Sequence, residues 1–337
     1  MEHLQRLQLL ESWLKTQFPG KSFTLSPTSA DASFRRYFRA TFSDGTLIIM
    51  DAPPQQEDCT PFLSIAKTFA VAGVHVPEVL AQDLTQGFLL LSDLGSTTYL
   101  QALSDDPGSA DQLYCDAADA LIKIQLASRP GVLPDYDAAL LLRELNLFPD
   151  WYVAKHLQAV LSAEQKAELT AVFTRILQNN LAQSRVFVHR DYHSRNLMAT
   201  LPNPGILDFQ DAVYGPITYD LVSLFKDAYI RWDEERVLDW LIRYWEKARK
   251  AELPVAADFA EFYRDFEWMG VQRHIKVLGI FARLCHRDGK DGYLRDMPLV
   301  MDYLRKVCER YRELGPLLLL LDALTEDKPD ATIGYSF

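Results

Sequence analysis

The densest run of chemically capable side chains is Val188-His189-Arg190-Asp191-Tyr192-His193-Ser194-Arg195-Asn196-Leu197, followed by Ile206-Leu207-Asp208-Phe209. Two carboxylates and an amide stand here between apolar, strand-like flanks. Such a set suits phosphoryl transfer. A carboxylate, Asp191, can accept the proton of an attacking hydroxyl. Asn196 and Asp208 supply the hard oxygen donors that Mg²⁺ takes when it neutralises a triphosphate. His189 sits at a strand end and reads as a structural residue that orients the loop.

The elements that must hold this loop follow from hydrophobic spacing. Leu4, Leu7, Leu10, Leu14 and Phe18 recur at helical steps until Pro19-Gly20. Residues 34–39 and 46–50 alternate around Ser43-Asp44-Gly45 and read as an antiparallel hairpin. A helix is expected over 60–73 with Pro61 at its first position, then strands over 78–82 and 88–92 around Thr85-Gln86-Gly87. After residue 95 the pattern turns helical, near 139–160, 217–229, 233–250, 256–283 and 296–313, interrupted by one β-like island at 186–208. Ser109-x-x-Gln112 and Ser162-x-x-Gln165 have the form of capping boxes.

Composition limits the function classes. The chain of 337 residues carries a net charge of −11, with 48% hydrophobic and 24% charged residues, an ordinary globular balance. An acidic surface disfavours charge-driven binding to nucleic acid or anionic membranes. The longest apolar run, near Leu317, is far shorter than the roughly 20 residues of a membrane span. The N-terminal segment is amphipathic without a signal-peptide pattern. Four scattered cysteines, Cys59, Cys115, Cys285 and Cys308, lack metal-site or disulfide spacing. The expectation is a cytoplasmic protein without nucleic-acid or membrane partners.

The order H-R-D-x-x-x-x-N, with Asp-Phe twelve residues after the Asn, fits the catalytic loop of kinases. The longer run HRDYHSRNLM…GILDFQDAVYGPITYDLVSL resembles the aminoglycoside phosphotransferase and choline kinase branch of the protein-kinase-like fold. That resemblance implies an α+β, two-lobe architecture. A small mixed-sheet N-lobe, residues 1–94, would bind ATP, and a larger helical C-lobe, 95–337, would hold the catalytic loop, the metal and the acceptor. It further implies Asp191 as base, Asn196 and Asp208 on Mg²⁺, and Asp220 as a structural brace of the loop. Only 11 residues separate Asp208 from Asp220, too few for a protein-kinase activation loop, so a small-molecule acceptor is expected. Four stretches, at 33–39, 50–54, 87–95 and 273–279, are similar to bacterial anomeric sugar kinases that act on N-acetylmuramate and N-acetylglucosamine in cell-wall recycling. Phosphorylation of an aminoglycoside or amino alcohol, or nucleotide binding without turnover, are the alternatives.

The strand Lys of protein kinases is absent: the strand reads Leu47-Ile48-Ile49-Met50-Asp51. Arg35, Arg36 and Arg39, beside Ser33, are either a replacement phosphate clamp or a solvated strand face. Family position makes 89–95, with Ser92, Asp93 and Leu94, the hinge that pairs with adenine. For the sugar, Arg143, Glu144 and Asn146, followed by Trp151, offer polar groups and an aromatic wall. Arg143 or Arg195 could meet a lactyl carboxylate. The same run also reads as an amphipathic helix with a buried aromatic stripe.

Overall fold

A computed structural model describes residues 2–30 and 34–326. Two compact units divide the chain: one comprises the chain up to Ile124 with Arg195–Asp211, the other Gln125–Ser194 with the chain from Ala212 onward. The first begins with α1 (Glu2–Gln17), β1 (Thr24–Ala30), β2 (Arg36–Phe42), β3 (Gly45–Asp51), α2 (Thr60–Val71), β4 (Val79–Asp83) and β5 (Phe88–Ser92), then α3 (Tyr99–Asp105) and α4 (Ala110–Leu126). Its five strands form an antiparallel sheet in the order β1-β2-β3-β5-β4. Leu10, Trp13 and Leu14 of α1 pack with Ala40, Ile49, Phe88 and Leu90 of the sheet. The helical spacing of α1 and the alternation of the strands thus meet in one apolar layer.

The chain continues in the second unit with α5 (Ala138–Leu145), a π-helical turn Phe148–His156, α6 (Ala163–Ala182) and β6 (Arg185–Val188). It returns to the first unit for the short ladder β7 (Leu197–Met198) and β8 (Gly205–Ile206). It ends in the second with β9 (Val213–Pro216), α7 (Tyr219–Phe225), α8 (Glu234–Lys250), α9 (Phe259–Asp288), α10 (Met297–Arg310) and α11 (Gly315–Glu326). The 30-residue α9 forms the axis of this unit, with α5, α6, α7 and α10 packed along it. Asp258 caps its start by accepting from Ala260 N, and Gly289, at φ +68°, ends it.

Several sequence expectations need correction. The helix read over 139–160 breaks after α5. Pro149 lacks the N–H that would continue it, and the turn that follows closes wide, with Leu157 N donating to Tyr152 O at 2.9 Å. Leu147 also lies so close to Gly279 that any Cβ there would clash with its backbone, so this crossing of α9 requires glycine. Strand β1 was not legible: Pro27 and its polar neighbours lack alternation, and they lie on a sheet edge beside an irregularity in the register. Ser162 and Gln165 form the full capping box, whereas Ser109 does not. Its hydroxyl donates back to Asp106 O, Asp106 itself caps the preceding turn, and Gln112 turns to Asp116. Among the described residues, no helix is long and apolar enough to cross a membrane.

At the end of β3, Asp51 has no exposure and accepts from two guanidiniums, Arg6 of α1 and Arg36 directly across the ladder. Arg6 also donates to Gln86 O at 2.7 Å. Asp51→Ala should leave two cations crowded without their counter-charge and lower the unfolding free energy by about 3 kcal/mol. Denaturant midpoints for Asp51→Ala and wild type would check this; coincident curves would show the fork to be energetically idle.

Candidate active site

The second unit carries the first half of the segment 188–209. β6 pairs with β9, Val188 facing Val213, and delivers the chain to His189. His189 is fully buried, and its Nδ1 lies 3.3 Å from the backbone N–H of Asp191, which donates to it. The next residue, Arg190, has φ +77°, a left-handed conformation unfavourable to a side chain of this size. Three partners hold it there. Its N–H donates to Asp220 Oδ1 at 2.9 Å, beside the bond from His189 N to Asp220 Oδ2 at 2.6 Å. Its carbonyl accepts from Arg273 Nη1 at 2.6 Å, and its guanidinium meets Glu144 at 2.5 Å. Past Asp191, Ser194 N donates to buried Asp227 at 2.9 Å. Two carboxylates, on α7 and just after it, therefore secure both ends of the loop.

The contacts close into a ring. Glu144 accepts from Arg190, from Lys276 at 3.1 Å and from the Tyr136 hydroxyl. Lys276 donates to the Tyr219 hydroxyl at 3.0 Å, and Arg273, 3.4 Å from the same oxygen, returns to Arg190 O. Gly215 lets Tyr136 approach, because a Cβ there would overlap the tyrosine ring. Asp191 lies at the mouth of this ring, 3.6 Å from Arg273, with 41% of its side chain exposed. Burial would raise its carboxyl, but Lys276, Arg273, His193 and Arg190 overcome that and hold it well below the usual carboxylate range. The residue is an anion, reachable from solvent.

The first unit carries the second half. The β7–β8 ladder, Leu197 facing Ile206, sets Asn196 beside Asp208. Asn196 O accepts from Leu207 N at 2.9 Å, and the two side chains approach to 3.4 Å. Asp208 has φ +61° and accepts from Gln210 at 2.7 Å. Phe209 anchors the turn, its ring 4.9 Å from Phe62 and 5.9 Å from Phe69 of α2. One amide oxygen and one carboxylate on a short ladder fit Mg²⁺, which binds few protein oxygens and completes its shell with water and phosphate. Among the described residues no cluster of three or more His, Cys, Asp or Glu forms an all-protein metal cage.

The residues expected at the nucleotide are engaged within the sheet. Arg36 belongs to the Asp51 fork. Arg39 grips Asp93 through Nε and Nη2 at 2.6 and 3.1 Å and caps Gly95 O at 2.8 Å. The Ser92 hydroxyl accepts from Glu78 N at 2.8 Å, and Leu94 is buried beneath Gly205. Arg35 lies 3.5 Å from Glu57, and Ser33 falls outside the described residues. Each of these arginines is partly exposed and has a carboxylate partner. Of the sugar candidates, Arg143 and Asn146 are exposed, Trp151 is half-buried against the core of the second unit, and Arg195 is half-buried in the first. Glu144 needs correction: it is 5% exposed and its oxygens are taken by Arg190, Lys276 and Tyr136, which makes it a structural anion. Arg273, Lys276, Tyr219 and Asp227 were not expected near Asp191. The signal available was polar residues on a helix otherwise apolar over several turns, since Gln272, Arg273, His274 and Lys276 are all buried in α9.

The sequence profile of the phosphotransferase enzyme family matches residues 24–263. The chain is 52% identical to the N-acetylmuramate/N-acetylglucosamine kinase of Neisseria meningitidis serogroup B, over 99% of this chain and the whole of that protein. Among solved structures, a choline/ethanolamine kinase family protein from Mesorhizobium loti aligns with a TM-score of 0.63 at 16% identity, covering 93% of this chain and 99% of that one. ADP-bound aminoglycoside phosphotransferase APH(2'')-Ib aligns with a TM-score of 0.56 at 14% identity, covering 88% and 97%.

Asp220 generates a pH signature. Burial pushes its carboxyl up to about 7, against the pull of the His189 and Arg190 N–H groups and the charge of Arg273. An unfolded aspartate titrates near 3.9, so from about pH 4 to 7 the folded state binds the extra proton. The stability tied to that proton is complete below about pH 4 and is lost as pH rises through 7. The unfolding free energy of wild type minus that of Asp220→Asn should therefore fall across this window, on the order of 2–4 kcal/mol. Denaturation at pH 4.5, 6, 7 and 8 would check it, and a constant difference would refute the raised carboxyl.

Proposed function

This chain belongs to the phosphotransferase enzyme family, and on that premise we propose that it transfers the γ-phosphoryl group of ATP to the anomeric hydroxyl of N-acetylmuramate and N-acetylglucosamine. The products are the sugar 1-phosphates, and the substrates are amino sugars released from cell-wall peptidoglycan, met in the cytoplasm. The observation that carries this reading is the 52% identity, end to end, with an enzyme named for these two sugars.

The chemistry of the side chains supports it. Asp191, anionic and open to solvent, is the base for the acceptor hydroxyl. Its surrounding cations make it a weak base, and the ring oxygen of a free sugar makes the anomeric hydroxyl more acidic than the others. The more acidic the acceptor hydroxyl, the less proton affinity the carboxylate has to supply. Asn196 and Asp208 are the residues that would hold Mg²⁺. When bound, Mg²⁺ offsets the negative charge of the triphosphate. The backbone at Asp93 and Leu94 is the proposed adenine contact, with the Asp93 side chain already fixed by Arg39. Arg35 and Ser33 are the remaining phosphate candidates, since Arg36 is held by Asp51. The exposed Arg143 and Asn146 are the proposed sugar contacts, and Arg143 or Arg195 the cation for the lactyl carboxylate. The free cysteines, Cys59, Cys115, Cys285 and Cys308, accord with a reducing compartment.

The test is a panel of N-acetylmuramate, N-acetylglucosamine, kanamycin and choline with ATP and Mg²⁺. ADP release should accompany the two amino sugars, stop with EDTA, and match the loss of reducing-sugar signal mole for mole. Phosphate incorporation with the reducing end intact would reject anomeric transfer; turnover of kanamycin or choline alone would reject the sugar. Asp191→Asn should lower kcat by roughly 10²–10⁴-fold with little change in nucleotide binding. Near-normal kcat in that variant would remove Asp191 from the base role.

A further inference from the structure

We propose that Arg273, in the middle of α9, is the positioning residue for Asp191: its guanidinium holds both the carboxylate and the turn that presents it. The inference rests on Asp191 being the base. Arg273 Nη1 donates to Arg190 O at 2.6 Å and lies 3.6 Å from Asp191 Oδ1. One nitrogen thus touches the backbone on the near side of the base and faces the base itself. The guanidinium is 7% exposed, and such a cation is retained in a helical core only with partners of this kind.

The surroundings leave the group little freedom. The Tyr219 ring lies 5.4 Å beneath the guanidinium, and the tyrosine hydroxyl is shared with Lys276. Lys276 and Arg190 are both tied to Glu144, and Arg190 O closes the circuit. A guanidinium held over the Tyr219 ring, with Nη1 donating to Arg190 O and close to the Tyr219 hydroxyl, has one orientation, and it transmits that orientation to the carboxylate. The charged and titratable groups facing Asp191 are Arg273 and Lys276 on α9, Asp220 on α7, and Arg190 and His193 on the loop itself. Lys276 is one ring member further from the peptide link, so Arg273 is the cation that acts on both carboxylate and backbone. The stretch Arg273-His274-Ile275-Lys276 is four consecutive residues, each nine-tenths buried or more.

Because Arg273 acts through Asp191, its effect should disappear when the base is already removed. A double-mutant cycle on kcat separates this from a packing role. Arg273→Gln should lower kcat about 10–100-fold in the wild-type background, with KM for ATP nearly unchanged, and about 1–2-fold in the Asp191→Asn background. Arg273→Lys, which keeps a cation but loses the planar fork, should fall between wild type and Arg273→Gln. Should Arg273→Gln fail to fold by its melting transition, the same cycle is run with Arg273→Lys. Equal losses in both backgrounds, or a loss confined to Tm and KM, would overturn the proposal. The base assignment fails separately: it falls if Asp191→Asn alone retains activity, whatever Arg273 does.

Discussion

The left-handed backbone of Arg190 is the constraint on which the rest of the loop from His189 to Ser194 depends. A non-glycine residue held at φ +77° costs about 1–2 kcal/mol, and it persists only where its surroundings over-determine it. Here the N–H is bound by Asp220, the carbonyl by Arg273 and the guanidinium by Glu144. Those partners come from α7, α9 and α5, so helices distant in sequence converge on one peptide. The return for that strain is direction. The next residue, Asp191, projects from a fixed turn into solvent while cations behind it keep it ionised.

The first unit meets a similar demand with different means. Asp51 stands at the end of β3 and is a buried acceptor for Arg6 and Arg36. Arg39 binds Asp93 and Gly95 O, so it joins the middle of the sheet to the segment that follows β5. Arg36 and Arg39, like Arg6, serve as internal struts. Phe209 works in the same spirit: two α2 phenylalanines clamp it, and Asp208 precedes it at a positive φ.

What could be read from the sequence was the chemistry carried by neighbours. Asn196 and Asp208 are brought together by the short β7–β8 ladder, and the spacing of the kinase-like motif picked them out. The hairpin from 36 to 51 was legible from its own alternation. Asp220 came with the motif rather than from spacing. The ring around Arg190 was invisible because its bonds join residues 46 and 83 positions apart, and no periodicity reports such a distance. Glu144 was misread for a related cause: on α5 it is adjacent to the exposed Arg143, and only the packed fold tells the buried face from the outer one. Sequence division at residue 95 marked the change from strands to helices. The compact units divide elsewhere, because 195–211 returns to the sheet side through His75 and Thr97.

The two carboxylates under the loop carry a consequence for how it exchanges with solvent. The amides of His189, Arg190 and Ser194 are bonded to Asp220 and Asp227, acceptors that are themselves buried with α7. A surface loop ordinarily opens by local fluctuations of small free energy, independently of the core. Here the acceptors are buried carboxylates on or just after α7, which packs against α9, so opening of the loop is coupled to the second unit's core. Slow amide exchange, normally the mark of a central strand, then extends into the loop from His189 to Ser194.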